Sequence, residues 1–213
     1  MESTVSKRLD RCVAELDKAL RVLFGDAVAR RPSPAEGVTE STFDQALRKH
    51  AASLMRVNHC GEVCAQALYQ GQALASSNES LRHALERAAS EESDHLAWSA
   101  ERVRELGGHL SLLNPFWYVG SLALGYAAGR LGDGWNLGFL AETEHQVEEH
   151  LQGHIERLGD RDARTRAIIE GMQREEAEHK QNAERLGARE MPEVVARAMR
   201  VAARVMTTLS YRF

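Results

Sequence analysis

The chain has 213 residues, enough to bury a sizeable core, and is most economically a single domain. Its formal net charge of −4, with no strongly basic half, argues against a nucleic-acid-binding protein. Four prolines, 6% aromatic residues and abundant Ala, Leu, Glu and Arg favour an all-helical fold.

The N-terminal 40 residues predict an amphipathic helix followed by a linker. Apolar and charged side chains alternate at helical spacing over residues 2–24, and Gly25 is a natural stop. Residues 25–40 contain the run Arg30-Arg31-Pro32-Ser33-Pro34, which predicts an irregular connection.

Two long helices are predicted next, joined by a short turn. Ser41 has the character of an N-cap, with Asp44 three residues later, and opens a helix that runs to about Ser76. The second helix extends from about Glu79 to Leu106 and is ended by a pair of glycines.

Residues 110–131 form an apolar segment, and between Gly120 and Leu131 the first charge is Arg130. The segment is too short to cross a bilayer, which takes ~20 apolar residues. Its composition fits a core helix and a segment that dips into a membrane surface equally well.

A second pair of helices is predicted, from about Trp135 to Leu158 and from beyond Gly159 to about Leu186. The tail begins with Pro192, a residue suited to a first helical position. One face of the tail is apolar and the other basic: Val194, Ala198, Val201, Ala202, Val205 and Leu209 against Arg197, Arg200 and Arg204. This pattern is typical of an interfacial helix, and an ordinary surface helix shares it.

The most informative pattern is a Glu-x-x-His motif that occurs twice, each time preceded by a lone glutamate one hairpin earlier. Six residues make the pattern: Glu62, Glu92, His95, Glu144, Glu176 and His179. A Glu and a His three residues apart share one helix face. One such motif is common on any charged helix surface. Two motifs, each preceded by a lone glutamate, form a much rarer arrangement.

Two hairpins of matched length can aim these four carboxylates and two imidazoles at one point of a bundle. Four buried carboxylates are prohibitive without compensation, and two metal ions would neutralise them. Oxygen and imidazole ligands without thiolate suit iron or manganese better than structural zinc. The set matches the di-iron carboxylate arrangement of ferritin-like bundles. On that analogy Glu92 and Glu176 bridge the metals, and Glu62 and Glu144 are terminal ligands.

The second ring nitrogen of each histidine needs a partner. The nearest carboxylates in sequence are Glu91, Asp94, Glu175 and Glu178, which the sequence cannot rank. The supporting residues that we predict are Asp94, Glu178 and His150.

The three cysteines, Cys12, Cys60 and Cys64, lack zinc-ligand spacing, and no signal peptide opens the chain. We therefore expect a reducing, cytoplasmic setting in which Cys60 and Cys64 are small packing residues.

The run Arg56-Val57-Asn58-His59-Cys60-Gly61-Glu62, combined with the later ligands, resembles the demethoxyubiquinone hydroxylase family of ubiquinone biosynthesis in its bacterial form. The likeness covers about residues 50–213. The chain departs from the family at Cys60, where alanine is usual, and at Leu151, where several members have tyrosine.

The resemblance implies that the six residues hold two Fe ions and that no further side chain is catalytic. It implies hydroxylation of a polyprenylated methoxy-methyl-benzoquinol with O2, supported by an electron donor. It also implies a peripheral protein on the cytoplasmic face of the bacterial cell membrane, and leaves open a homo-oligomer or a complex of ubiquinone-biosynthesis proteins.

The expected fold is a ferritin-like four-helix bundle with additional N-terminal, central apolar and C-terminal amphipathic helices. We divide the single domain into residues 1–40, the bundle 41–190 with its apolar insert at about 110–131, and the tail 191–213. Two alternatives remain at this point: a rubrerythrin-like or ferritin-like oxidase, and a non-catalytic lipid-binding or quinone-binding scaffold. Against a rubrerythrin-like protein, the chain lacks the four-cysteine rubredoxin module, because it has only three cysteines.

Overall fold

A computed structural model describes residues 4–40, 42 and 44–213, and within these ranges every regular element is a helix. The helices are α1 (Thr4–Phe24), α2 (Gln45–Ala75), α3 (Glu79–Glu105), α4 (Asn114–Gly129), α5 (Asp133–Leu158), α6 (Ala163–Arg185) and α7 (Glu193–Ser210). The all-helical prediction is confirmed.

Local capping explains where the bundle helices begin and end. The Asp44 side chain accepts a hydrogen bond from the Leu47 backbone N–H at 2.8 Å, so Asp44 caps α2. The predicted cap, Ser41, lies outside the described residues. The helix α3 ends where Gly107 adopts a φ of 73°, a left-handed conformation that favours glycine.

Two antiparallel hairpins, α2–α3 and α5–α6, form the bundle. Helix α2 is the central element and packs against α3, α4, α5 and α7. The largest apolar cluster includes residues from all four bundle helices, among them Leu54, Trp98, Leu151 and Ile169. Burial of this cluster provides the main driving force for assembling the hairpins.

Helix α4, formed by the apolar segment, crosses α2 at very short range. A Cβ atom on Gly125 would lie 2.3 Å from the Leu68 carbonyl oxygen, so only glycine permits this approach. One face of α4 is thus packed on α2 and buries Tyr118, whereas Phe116 and Val119 on the other face are 68% and 64% exposed. The segment is therefore half core and half exposed apolar surface.

The connection between α1 and α2 has no regular secondary structure, as predicted, but it is packed against the bundle. Ala35 is 2% exposed and belongs to the largest apolar cluster. Pro34 lies so close to Gly171 of α6 that a Cβ there would meet the proline ring at 2.6 Å. We call residues 25–40 the strap.

Helix α7 is attached at its C-terminal end and exposes an apolar face. The Ser210 hydroxyl donates to Cys60 Sγ at 3.1 Å, and Tyr211 Oη lies 2.8 Å from His50 Nδ1. Val201 and Val205 remain exposed to solvent. Within the described part of the chain, no helix is both long and apolar enough to cross a membrane.

Candidate metal centre

All six residues of the sequence pattern meet in the interior of the bundle. Each hairpin contributes a glutamate from its first helix and a Glu-x-x-His pair from its second: Glu62, Glu92 and His95 from α2 and α3, and Glu144, Glu176 and His179 from α5 and α6. All six are buried, with His179 the most exposed at 8%. Potential ligand atoms of Glu62, Glu92, His95 and Glu176 lie within 4.8 Å of one another.

Glu92 lies between the two imidazoles. Its Oε2 is 2.7 Å from His95 Nδ1, and its Oε1 is 2.7 Å from His179 Nδ1. Glu176 repeats this relation from the other hairpin, with distances of 3.3 Å to His95 Nδ1 and 3.5 Å to His179 Nδ1. A carboxylate that offers one oxygen to each histidine has the position expected of a bridging ligand between two metals.

The two lone glutamates lie at the outer ends of the cluster. Glu62 Oε2 is 3.9 Å from His95 Nδ1, and burial together with the neighbouring Glu92 carboxylate raises the pKa of Glu62. Burial and the neighbouring Glu176 carboxylate raise the pKa of Glu144 in the same way. The arrangement is therefore repeated about a pseudo-twofold axis, as the similar spacing in sequence predicted, with 30 residues from Glu62 to Glu92 and 32 from Glu144 to Glu176.

Several polar atoms of the cluster are buried without a hydrogen bond of acceptable geometry. They are both carboxylate oxygens of Glu92, Oε2 of Glu176, and Nδ1 of both His95 and His179. Buried polar atoms are nearly always satisfied, so a set of orphaned atoms that converge requires an explanation. Atoms aimed at a common point, rather than at one another, are what metal coordination needs, and the residues present fit two metal ions.

The electrostatics support the same conclusion. Burial and the neighbouring carboxylates raise the pKa of Glu62 and Glu144, which favours their neutral forms. Although burial acts in the opposite direction, the surrounding glutamates raise the pKa of His179 to about 12. The metal-free cluster thus balances charge by holding protons. Two divalent cations carry a charge of +4 and would balance four ionised carboxylates with both histidines neutral.

The second ring nitrogens are satisfied by carboxylates from the opposite hairpin. His95 Nε2 on α3 is 3.0 Å from Glu175 Oε2 on α6, and His179 Nε2 on α6 is 3.1 Å from Glu91 Oε2 on α3. Because each hairpin holds the Nε2 atom of the other hairpin's histidine, the Nδ1 atoms of both histidines face the cluster, as is usual for histidines that bind metals.

Among the described residues, the second ring nitrogens pair with Glu175 and Glu91 and not with the supporting residues that we predicted. Glu178 is exposed, and the His150 ring packs against His154 at a centroid distance of 4.0 Å instead of contacting either cluster histidine. Asp94 accepts hydrogen bonds from the strap, at Arg30 N and Arg31 Nε, and has no contact with either imidazole among the described residues. Its contribution to the centre is indirect.

One pair of supporting residues was named in the sequence without being ranked, and one contact of the centre, from Tyr69, was missed. Glu91 and Glu175 were among the four candidate carboxylates, but symmetry could not rank them, because Asp94 and Glu178 also occupy equivalent positions in the two repeats. Tyr69 donates a hydrogen bond to Glu144. It lies seven residues after Glu62 on the same helix face, so helical spacing was an available signal.

The sequence model of the family Ubiquinone biosynthesis protein COQ7 matches residues 49–210. The chain belongs to this family. The region matched contains all six residues of the cluster, so the resemblance seen in the sequence is confirmed.

Related proteins extend the similarity over nearly the whole chain. A 3-demethoxyubiquinol 3-hydroxylase of Azoarcus sp. (strain BH72) is 56% identical over 203 residues, covering 95% of this chain and 98% of that protein. Proteins of the same name from Chromobacterium violaceum and Dechloromonas aromatica are 56% and 53% identical, each over 96% of this chain and 99% of the relative. The similarity therefore includes α1 and the strap, which lie outside the region matched by the family model.

Proposed function

We propose that this protein is a 3-demethoxyubiquinol 3-hydroxylase that acts at two iron ions bound by the buried cluster. The observation that carries the proposal is the convergence of four carboxylates and two imidazoles, in which inward atoms of Glu92, Glu176 and both histidines lack hydrogen-bond partners. The names of the full-length relatives support the reaction assigned to it. The substrate would be a polyprenylated methoxy-methyl-benzoquinol with one unsubstituted ring carbon.

The pseudo-symmetric geometry supports a separate role for each ligand. Glu92 and Glu176 would bridge the metals, because each carboxylate lies between both histidines. His95 with Glu62 would complete one metal site. His179 with Glu144 would complete the other.

The bound pair of reduced irons would supply the electrons and the oxygen-activating centre for inserting one atom of O2 into the ring. Overall, a ring C–H, O2, two electrons and two protons give a ring hydroxyl and water. The protein's own contribution is orientation and exclusion of water. The cluster lies in a packed interior where every ligand side chain is at least partly fixed by a neighbour, and Glu91 and Glu175 hold the imidazoles.

We further propose that the protein is peripheral at the cytoplasmic face of the membrane. The exposed apolar faces of α4 and α7 are suited to the acyl boundary of a bilayer. Both helices pack on α2, which carries Glu62. The isoprenoid tail of the quinol could then remain in lipid while its ring reaches the cluster.

Reconstitution with iron tests the proposal. The full chain is loaded anaerobically with Fe2+, then given the demethoxy quinol, a reductant and 18O2, and the product is examined by mass spectrometry. We expect two irons per chain and one 18O atom in the new hydroxyl group. Glu92→Ala and His179→Ala should abolish the product, whereas Glu178→Ala, at an exposed position on the same helix as His179, should not.

Other outcomes would contradict the hydroxylase. O2 consumption without labelled quinol would indicate a ferritin-like oxidase. Fewer than two irons per chain together with no labelled product would indicate a scaffold. Full turnover in Glu92→Ala would show that the cluster has no catalytic role.

A further inference from the structure

Arg31 in the strap is joined to Glu175 by a bidentate ion pair. Its Nη1 donates to Glu175 Oε1 at 2.9 Å, and its Nη2 donates to Glu175 Oε2 at 2.7 Å. Paired hydrogen bonds from a planar guanidinium fix the orientation of a carboxylate, which a single contact does not.

Arg31 is itself held in place by α3. Its Nε donates to Asp94 Oδ2 at 2.6 Å, and the Arg30 backbone N–H donates to Asp94 Oδ1, also at 2.6 Å. The guanidinium lies over the Trp98 ring, 5.2 Å from its centroid, and Trp98 Nε1 donates to the Arg31 carbonyl oxygen at 3.3 Å. Although the Arg31 side chain is 45% exposed, all three of its side-chain nitrogens thus have defined partners.

These contacts continue inward to the cluster. Glu175 Oε2, which accepts from Arg31, also lies 3.0 Å from His95 Nε2. The opposite ring nitrogen of His95 is the one that faces Glu92 and Glu176. A continuous series of contacts therefore runs from Arg31 through Glu175 to the ligand nitrogen of His95.

The equivalent histidine of the other repeat has a weaker support. His179 Nε2 contacts Glu91, whose side chain is 57% exposed, compared with 25% for Glu175. Among the described residues, no arginine is paired with Glu91. The two halves of the centre have the same ligands but differ in how firmly their histidines are oriented.

We propose that Arg31 is a positioning residue that holds Glu175 against His95 and makes the His95 side of the centre the tighter metal site. The inference rests on the proposed two-metal site and deepens it. Arg31 precedes residue 49, where the family-model match begins, so this support comes from the N-terminal segment and not from the region that the family model covers.

Anaerobic Fe2+ titration of the metal-free full chain tests the proposal, with the two dissociation constants measured separately. In Arg31→Gln we expect the tighter site to weaken by about tenfold or more, the size of effect usual for residues that support ligands, while the weaker site is unchanged. Arg31→Lys, which keeps the charge but cannot form the bidentate pair, should give an intermediate loss. Arg166→Gln is the matched control. The Arg166 side chain is 34% exposed, and its Nε lies 2.7 Å from Glu170 Oε1, in an ion pair that does not include any residue of the cluster.

A double-mutant cycle separates positioning from general destabilisation. If Arg31 acts through Glu175, then Arg31→Gln should have no further effect on metal affinity in a Glu175→Gln background. Additive losses, equal weakening of both sites, or unchanged affinities in Arg31→Gln would overturn the proposal. Wild-type protein that binds two irons with this asymmetry but forms no hydroxylated quinol would refute the hydroxylase and leave the role of Arg31 intact. A wild type that binds fewer than two irons would refute both.

Discussion

Tyr69 on α2 donates a hydrogen bond to Glu144 on α5 and so connects the two hairpins at the buried centre. The two side chains are 1% and 2% exposed. Burial, reinforced by the Glu144 carboxylate, raises the pKa of Tyr69 far above its ordinary value, so the phenol keeps its proton and remains a donor. Glu144 thus has a fixed partner within the protein, as a terminal ligand needs.

Replacing Tyr69 with phenylalanine should weaken one metal site. The change leaves the buried Glu144 without its donor, and we expect a loss of about 10- to 100-fold in affinity for one of the two metals. Metal titration of the full chain measures this. The matched control is Tyr118→Phe, which removes a buried hydroxyl that donates to Gln70, remote from the cluster. Both variants should lose about 1 kcal/mol of unfolding free energy, but equal metal affinities in the two would contradict a specific role for Tyr69.

Charged substitutions on the exposed apolar faces should reduce membrane binding. Val201→Asp with Val205→Asp on α7 removes two side chains whose burial in lipid would contribute about 1.5 kcal/mol or more each. We therefore expect binding to anionic vesicles to fall by on the order of 100-fold. Flotation of the protein with vesicles measures the change. Leu186→Asp is the control, because Leu186 is 59% exposed but lies outside both faces. Equal flotation of all three proteins would contradict the proposed membrane contact.

The helices and the cluster were predictable because both depend on local spacing. Asn78 caps α3, Gly107 ends it, and apolar periodicity locates its buried face. The ligands are visible because a Glu and a His three residues apart must share one face of any helix. Repetition of that motif after a hairpin of equal length leaves few alternatives to a shared centre.

The supporting contacts were not predictable, since they depend on how the hairpins pack. The four candidate carboxylates are all within one turn of a ligand, and sequence spacing gives each a comparable chance of reaching an imidazole. The Nε2 atom of His95 points across the interface between the hairpins and contacts Glu175, which is 80 residues away in sequence. Arg31 is more remote still, 144 residues from Glu175 in sequence, and a strap without periodicity gives no signal of what it will contact.

The close crossing of α2 and α4 predicts opposite effects for two glycines of the same helix. In Gly125→Ala the new Cβ would lie 2.3 Å from the Leu68 carbonyl oxygen, and backbone atoms cannot rotate away. We expect a loss of about 1–3 kcal/mol of unfolding free energy or more. Gly120 has open space around its Cβ position, so Gly120→Ala should stabilise α4 by up to about 1 kcal/mol. Urea denaturation of the metal-free protein measures both, and a neutral Gly125→Ala would refute the tight crossing.

The pair formed by half-buried His150 and buried His154 predicts a loss of stability in acid. Burial lowers the pKa of His154 to about 2 and that of His150 to about 4, with the cation Arg157 acting in the same direction on both. In the unfolded chain both histidines should have a pKa of about 6.5. Above that pH neither state is protonated and stability is fully present. Below that pH, the two histidines bind protons in the unfolded chain but not in the folded chain. The free energy of unfolding therefore falls as the pH drops from about 6.5 toward the folded-state pKa values of the two histidines.

His154→Leu isolates this effect from the carboxylates of the cluster. His154 is 1% exposed and its Nδ1 is buried without a partner, so leucine should be tolerated at pH 7. Between pH 7 and pH 5 the wild type should lose up to about 1.4 kcal/mol per pH unit for each such histidine, and the variant correspondingly less. Urea denaturation of metal-free protein at both pH values gives the difference. His83→Gln, at an exposed position, is the control. If His154→Leu and the wild type lose the same stability between pH 7 and pH 5, then His154 is not held neutral by the fold.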